Sequence, residues 1–446
     1  MAMAGVGPWS LPNETLFRSV GAVQKPEFGL LSQYRVVMMG QSVAAPFAGE
    51  LYAEHGADVI WIENPYSVDS ARAARRSGSW QQDRRNMRSL ALDYVCEDGR
   101  KIFLRLMEST DVLIEASVGG HLTQIGLGDQ VLWEANPRLV IAHISGFGQT
   151  GQEDYVRRAC FDPIAQAFGC SMRMNGLPGQ PSAPAMPFPA DYASGFYAFG
   201  MANAALLKRA ETGRGESLDI AQFEAVIRTQ ANYPTDYLRY GLDYVKEGDH
   251  SRICAVYGTY PCADGKEIYI LALGGGVMRR LLPLLGLEYG SELFPPGLSY
   301  VPVETEAAAA LESSFASYLS TRTAQQVEDE LTAQGIPCSQ LMDYASAVKN
   351  PQYIARGVFT KWQAADDTTV IPGVKVVPEI ANFPGQVWRG APNIGMDNDD
   401  ILDELRISPE LRDQLYADGR LARSGYLENT GDGLRPSPTT KEVSES

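Results

Sequence analysis

The sequence predicts an α/β protein: a mostly parallel sheet covered by helices on both faces, with a smaller α+β domain. Three observations carry this prediction. Strand-like apolar runs alternate with helix-like segments from Tyr34 to about residue 225. Those runs are apolar on both faces, as strands of a sheet buried on both sides must be. After about residue 245 the pattern changes to a hairpin followed by two helical stretches.

The first elements are YRVVMMG (strand), APFAGELYAEHG (helix) and ADVIWIENP (strand). Pro46 suits the first turn of that helix and Gly56 its end, while Phe47, Leu51 and Tyr52 recur on one face. GRKIFLRLMEST then reads as a helix, DVLIEAS as a strand, DQVLWEANP as a short helix and RLVIAHISGFG as a strand. The loops leaving the carboxyl ends are GQSVAAP, NPYSVDSARAARRSG, ASVGGHL and SGFGQTGQ, and such loops are where a parallel sheet binds its ligands.

A long helical tract follows Asp191, breaks at TGRGES (Thr212 to Ser217), gives the strand SLDIA and resumes as QFEAVIRTQANYPTDYL. Next comes the antiparallel pair VYGTYPCADGKEIYILAL, turning tightly at Asp264 and Gly265, and the helices AAAALESSFASYLS and AQQVEDELTAQG. Beyond Pro351 the chain has short strands and a last helix, SPELRDQLYADG. The Ser-, Thr-, Pro- and Gly-rich tail reads as disordered.

Composition narrows the function classes. A chain of 446 residues is too long for one small core, and two domains are expected. With 45% hydrophobic and 21% charged residues the bulk should be soluble and globular. The net charge of -16, from 38 basic against 54 acidic side chains, argues against nucleic-acid and anionic-membrane partners. Any anionic ligand then needs a local basic cluster. The apolar runs fall short of the roughly 18 residues of a membrane span, and the N-terminus lacks a charged-then-apolar leader, so a cytoplasmic protein is expected. Six scattered cysteines without CxxC suggest reduced thiols, and four histidines without ligand spacing suggest no metal site.

Asp191 stands out, because FPADYASG places a lone carboxylate at the head of a small, apolar and hence buried run. Spacing alone favours a helix N-cap; the same carboxylate, held as an anion by the helix dipole, can serve as a nucleophile. GFGQTG, with Gly146, Gly148 and Gln149, is a flexible turn or a loop whose N–H groups approach a ligand. ALGGGVMRR, with Gly274 and Gly275, is a strand-to-helix turn or a flap with oxyanion donors. The cluster Arg72, Arg75, Arg76, Arg84, Arg85 and Arg88 is a solvated loop or, the reading favoured here, a phosphate site. Trp80, Tyr233, Tyr237, Tyr240 and Tyr257 could face a cation or adenine, although packing is the commoner fate of such rings.

Several of these stretches occur together: VVMMGQSVAAPFAGELYAEHGADVIWIENP, RRNMRSLALD, NPRLVIAHISGFGQTG, FDPIAQAFG, FPADYASG, TGRGESLDIAQFE and ADGKEIYI. Over about residues 30 to 423 they resemble the class III CoA-transferases, a family that also includes formyl-CoA:oxalate CoA-transferase and the related α-methylacyl-CoA racemases. The chain looks closest to the L-carnitine CoA-transferase branch, through DQVLWEANPRLVIAHISGFGQ, NPQYIARGVFTKWQ and PGQVWRGAPNIGMDNDDIL.

The resemblance implies a large Rossmann-like domain (28–225 completed by 351–423), a small domain (226–350), an N-terminal extension (1–27), a disordered tail (424–446) and an interlaced homodimer with no stable free monomer. It also implies that Asp191 attacks an acyl-CoA thioester, giving a mixed anhydride and then an aspartyl-CoA thioester, with coenzyme A as substrate and no metal. Carnitine, crotonobetaine or γ-butyrobetaine would be the acids. The expected CoA-binding set is Gln41, Arg72, Arg84, Arg85, Arg88, Gly146, Gly148, Gln149, Gly274 and Gly275.

Two departures bear on activity. Where carnitine enzymes carry a Lys and an Arg for CoA, this chain has Val118 and Ile125, a loss of about 1.5–3 kcal/mol for each charge-assisted bond. Either the arginine cluster compensates, which is favoured, or CoA binds weakly, or the chain is a partner-dependent, non-catalytic subunit. Racemization is a more distant alternative, since Phe161 stands where racemases have the histidine that pairs with the aspartate.

Overall fold

The structure is a computed structural model that describes residues 17–20, 23–73, 79–365, 370–422, 427–429 and 434–436. The chain divides into two units, one of Met1–Cys170, Met186–Ala231 and Gly357–Ser446, the other of Ser171–Ala185 and Asn232–Arg356.

In the first unit, after a short hairpin of Phe17–Val20 and Val23–Pro26, come β1 (Arg35–Met39), α1 (Ala44–Glu54), β2 (Asp58–Glu63), β3 (Arg88–Ala91), α2 (Glu97–Met107), β4 (Val112–Ala116), α3 (Asp129–Ala135), β5 (Val140–Ser145), α4 (Asp162–Phe168), α5 (Pro189–Thr212), β6 (Ser217–Ala221) and α6 (Gln222–Arg228). The six strands lie in the order β3-β2-β1-β4-β5-β6, every neighbouring pair parallel. The chain winds outward from β1 to β3, then crosses back over β1 to start β4. At that reversal the loops after β1 and β4 leave in opposite senses and open a crevice.

Period-two alternation assigns each strand residue to a face. Val37, Met39, Ile60, Ile62, Leu113 and Ile141 pack on Ile102, Phe103 and Leu106 of α2. Val36, Met38, Val59, Trp61 and Ile114 pack on Ala44, Ala45, Ala48 and Tyr52 of α1 and on Ala198, Ala202 and Leu206 of α5. Each large aliphatic side chain so buried contributes about 1.5–3 kcal/mol. The small residues after Asp191 let α5 lie close against α1. A Cβ at Gly195 would come within 2.8 Å of the Phe47 ring and 2.9 Å of the Ala44 carbonyl oxygen. α2 is capped by Cys96, whose Sγ accepts from Gly99 N–H, and carries Glu97 and Asp98 in its first turn, the favourable sign for the helix dipole.

The second unit contains α7 (Tyr233–Tyr240), β7 (Tyr257–Pro261), β8 (Glu267–Leu271), α8 (Gly275–Leu284), α9 (Glu306–Leu319), α10 (Ala324–Ala333) and β9 (Cys338–Gln340). Its sheet is antiparallel in the order β9-β8-β7, and its core joins Ile268 and Ile270 to Met278, Leu281, Phe315, Val327 and Leu331. The helix expected to run unbroken through QFEAVIRTQANYPTDYL is two, α6 and α7, parted around Ala231 at φ +49°. Pro234 explains the break: its ring is tolerated in the first turn of α7 but not in the middle of a longer helix.

The chain then returns to the first unit as the hairpin β10 (Phe359–Gln363) and β11 (Val370–Val374), followed by α11 (Asn398–Glu404) and α12 (Pro409–Ala417). This segment closes the β3 edge of the sheet. Ser89 N–H donates to Asp397 Oδ2 at 2.8 Å and Ala91 N–H to Asn398 Oδ1 at 2.9 Å. Of the expected disordered tail, Leu427–Asn429 pairs with Leu434–Pro436; the remainder lies outside the described residues.

At the other end of β3, Arg88 is 1% exposed. Its Nε and Nη2 grip Asp58 at 3.0 and 2.8 Å and its Nη1 reaches Glu404 of α11 at 2.6 Å, while Arg35 joins the same two carboxylates. Burial opposes the charge of Asp58, but Arg88 and Arg35 outweigh it and hold the carboxyl down at about 2. Arg88→Ala leaves Asp58 buried with half its partners gone, and urea denaturation should show a loss of about 3–5 kcal/mol.

Candidate active site

The crevice between β1 and β4 deepens into a cavity of about 480 Å³. Its wall is made by Gly40–Val43 after β1, Asn64, Ser67 and Asp69 after β2, Ser117, Val118 and His121 after β4, Gly146 after β5, the segment Arg158–Phe161, and Asp191 and Gln222. Gln222 is the first residue of α6, directly after β6, so every contribution but two comes from a strand's carboxyl end.

Asp191 is not the N-cap that spacing favours. α5 begins at Pro189, making Asp191 the third residue of its first turn, and the cap residue Phe188 makes no side-chain capping bond. Asp162 of α4 does the capping: its Oδ2 accepts from Ala190 N–H at 2.7 Å and Asp191 N–H at 3.1 Å. Asp191 is therefore released for another task. It is 9% exposed, and Gln222 Nε2 donates to its Oδ1 at 2.5 Å. Burial, and then the nearby charge of Asp162, push its carboxyl up to about 6; the Gln222 hydrogen bond opposes both. At pH 7 the group is still mostly an anion, with Oδ2 accepting no hydrogen bond among the described residues. Such a carboxylate suits nucleophilic attack.

Neighbouring Cys160 does not compete. Burial and the charge of Asp191 raise its thiol to about 11, so it stays protonated. Its Cβ also sits where a side chain on Gly146 would be, 2.1 Å from an ideal Cβ, which accounts for glycine there.

From the cavity wall an ionic chain runs inward through Glu115 and His143 to the half-buried Asp129. Glu115 of β4 and His143 of β5 are direct partners in the sheet. His143 Nδ1 lies 2.6 Å from Glu115 Oε1 and its Nε2 3.0 Å from Asp129 Oδ1, and Ser117 Oγ donates to the other Glu115 oxygen at 2.6 Å. Burial disfavours the charged imidazole, but the hydrogen bonds to Asp129 and Glu115 and the charges of both carboxylates prevail and raise it to about 9. His143 is an imidazolium at neutral pH.

Most of the expected CoA ligands lie elsewhere. Gln41 and Gly146 line the cavity. The phosphate role expected of the arginine cluster is corrected by burial and pairing. Arg72 binds both oxygens of Glu63 at 2.8 Å, Arg84 holds Asp69 at 2.7 Å, Arg85 bonds Glu54 at 2.5 Å, and Arg88 is the clasp on Asp58. None of the four is on the cavity wall. Arg72 also lies over the rings of Trp61 and Trp80, which gives Trp80 a structural partner. Arg75 and Arg76 lie outside the described residues.

The N–H groups of the glycine loop are likewise taken. Gly148 N–H donates to Ser145 Oγ at 2.9 Å and Gln149 N–H to Asp219, so neither is offered to a ligand. Gly274 and Gly275 belong to the second unit, at the start of α8, where Gly274 N–H donates to Ser299 O at 2.6 Å. Tyr233, Tyr237, Tyr240 and Tyr257 are also in that unit, Tyr233 stacked on Tyr244 at 3.8 Å.

Sequence reasoning missed Asp162, Gln222 and Glu115. Gln222 follows SLDIA directly, a strand-end position that marks a ligand-facing residue. Asp162 and Glu115 gave no such sign, because the groups through which they act on the site, the first turn of α5 and His143, are 28 to 29 residues distant.

Among the described residues no helix is long and apolar enough to cross a membrane, and no group of three or more His, Cys, Asp or Glu could hold a metal ion.

The sequence model of CoA-transferase family III matches residues 31–398. The chain belongs to that family and is an enzyme of its class, whose substrates are CoA thioesters. Its structure is similar to that of a CAIB/BAIF family protein from Brucella suis, at 27% identity and a TM-score of 0.72, covering 85% of this chain and 100% of that one. It also resembles in fold Rv3272 from M. tuberculosis, at 22% identity and a TM-score of 0.71, covering 83% and 98% of the two chains.

Two titrations check the electrostatics. An NMR titration of the Asp191 carboxyl should have its midpoint near 6, higher in Gln222→Ala, which removes the donor, and lower in Asp162→Asn, which removes the like charge. His143, held above its ordinary value of about 6.5, adds stability that is complete below that pH and lost as pH rises through about 9. Thermal melts should show this alkaline fall in the wild type and not in His143→Gln.

Proposed function

We propose that this enzyme moves CoA from an acyl-CoA to a free carboxylic acid, with Asp191 as the covalent nucleophile. The observation that carries the reading is a half-satisfied, mostly ionised carboxylate on the wall of a cavity at the sheet's reversal point. An Asp191 oxygen attacks the thioester carbonyl, the C–S bond breaks, and the products are a mixed anhydride and CoA thiolate. The thiolate attacks the aspartyl carbonyl, expelling the original acid and leaving an aspartyl-CoA thioester. The incoming acid attacks that thioester, and the thiolate, freed again, takes the new acyl group and restores Asp191. Gln222 orients the nucleophile, and Asp162 fixes the turn that carries it.

Small trimethylammonium acids of the carnitine, crotonobetaine and γ-butyrobetaine type are the proposed substrates, following the branch that the sequence resembles. The proposed working form is an interlaced homodimer. Supporting it are the exposed side chains of Phe196, Met201 and Leu207 on α5, the outer strand β6, paired on one side only among the described residues, and α7, which buries none of its residues. Cytoplasmic location is proposed as well, since all six cysteines are unpaired.

Exchange between an acyl-CoA and a panel of acids tests the reaction. Asp191→Asn should lower it by about 10⁴-fold or more, while thermal stability rises because a buried charge beside Asp162 is gone. The acid limb of kcat/KM should fall near pH 6. Hydroxylamine or borohydride trapping during turnover should mark Asp191 in the mass spectrum. Full activity in Asp191→Asn refutes the mechanism. Light scattering should give twice the 48.6 kDa chain mass, and a single chain mass removes the dimer.

A further inference from the structure

We propose that Arg158 is the anion anchor of the cavity, the side chain that holds a phosphate or carboxylate group of the substrate. The proposal rests on the transferase reading, in which one substrate carries phosphates and the other a carboxylate. A chain of net charge -16 repels both, so a cation must be provided at the site itself.

Among the described residues, the partners of the other charged groups leave one lysine or arginine for this task. Glu63, Asp69 and Glu115 face the cavity, and each is already matched by a cation behind the wall: Arg72, Arg84 and His143. Those cations are buried, and none of them lines the cavity. Of the described residues that line the cavity, Arg158 is the only lysine or arginine. It is exposed and makes no ion pair among the described residues.

Its position is nevertheless fixed. The guanidinium carbon lies 4.7 Å from the centre of the Tyr155 ring and 5.8 Å from that of Phe147. Those rings belong to a cluster in which Phe147 meets Phe168 edge-on at 5.1 Å, and Phe168 meets Phe223 at the same distance. The backbone is tied as well: Arg158 N–H donates to Tyr155 O at 2.9 Å, and Gly119 N–H to Val156 O at 3.0 Å, which joins this segment to the loop after β4. A guanidinium held over aromatic rings spends none of its N–H groups on a competing acceptor, and its planar fork suits bidentate contact with an oxyanion. Stacking also lowers the entropy lost when the anion binds.

The test uses the full-length enzyme with Arg158→Gln and Arg158→Lys, both at an exposed position that leaves the melting temperature unchanged. Arg158→Gln should raise KM for one substrate by about 10- to 100-fold, the usual value of a charge-assisted bond, with kcat held within about twofold. Arg158→Lys should recover part of the loss, since it keeps the charge without the fork. An acyl-pantetheine donor, which lacks the nucleotide phosphates, separates the two anions. If phosphate is held, wild type and Arg158→Gln should use it equally; if carboxylate is held, the KM increase appears on the acid. Unchanged KM for both substrates in an active enzyme overturns the proposal. A wild type without exchange on any donor overturns the parent reading instead, and calorimetry with CoA then decides for Arg158. Weaker binding of CoA, or of an acid from the panel titrated in the same way, in Arg158→Gln sustains the anchor, and equal or undetectable binding of both ends it.

Discussion

A carboxylate that is to attack must be buried enough to lose its water yet not so well bonded that it loses its reactivity. Asp191 meets both demands through a division of labour at one helix start. The first turn of α5 needs acceptors for its free N–H groups, and Asp162, from a neighbouring helix, provides them. Asp191 is then spared the capping role that its own position invites. The cost is a second negative charge close by, visible in the elevated carboxyl of Asp191, and Gln222 offsets part of it. Helix start, cavity wall and sheet reversal have to coincide for this to work, and the strand order brings them together.

Charge is spent in an uneven way. Arg72, Arg84, Arg85 and Arg88, which look from the sequence like part of a phosphate site, are interior struts, each facing a carboxylate from another element. Burying such pairs adds little stability relative to an apolar substitute, but losing one member is expensive. Their effect is geometric, since they set the distance between the outer strands and the segments packed on them. Three carboxylates of the cavity wall, Glu63, Asp69 and Glu115, consequently have their counter-charges behind it, whereas Asp191 has an amide partner in Gln222.

The alternating strand and helix pattern makes the parallel sheet legible in the sequence, because apolar runs of five or six residues have few other uses. The strand Arg88–Ala91 was not legible as such: it has four residues and opens on an arginine, so nothing in its composition distinguishes it from a loop. Asp191 was visible as an anomaly, a charge at the head of a run of small apolar residues. What it does not do, cap its own helix, depends on Asp162, 29 residues earlier, and no local pattern encodes that. The arginine cluster misled for the same reason, since charge density is local while ion pairing spans 9 to about 316 residues. Fold class is written in short-range periodicity; the commitments of polar side chains are long-range, and those decide the site.

The outer strand β3 finds acceptors for two of its backbone N–H groups in the side chains of Asp397 and Asn398, more than 300 positions later. Synthesis runs from the N-terminus, so a ribosome will have released most of the polypeptide while this margin is still bare. Until the final stretch emerges, the nascent protein carries an open template for pairing with other chains. Messages cut short near the 3′ end should therefore yield aggregates in place of a slightly trimmed enzyme.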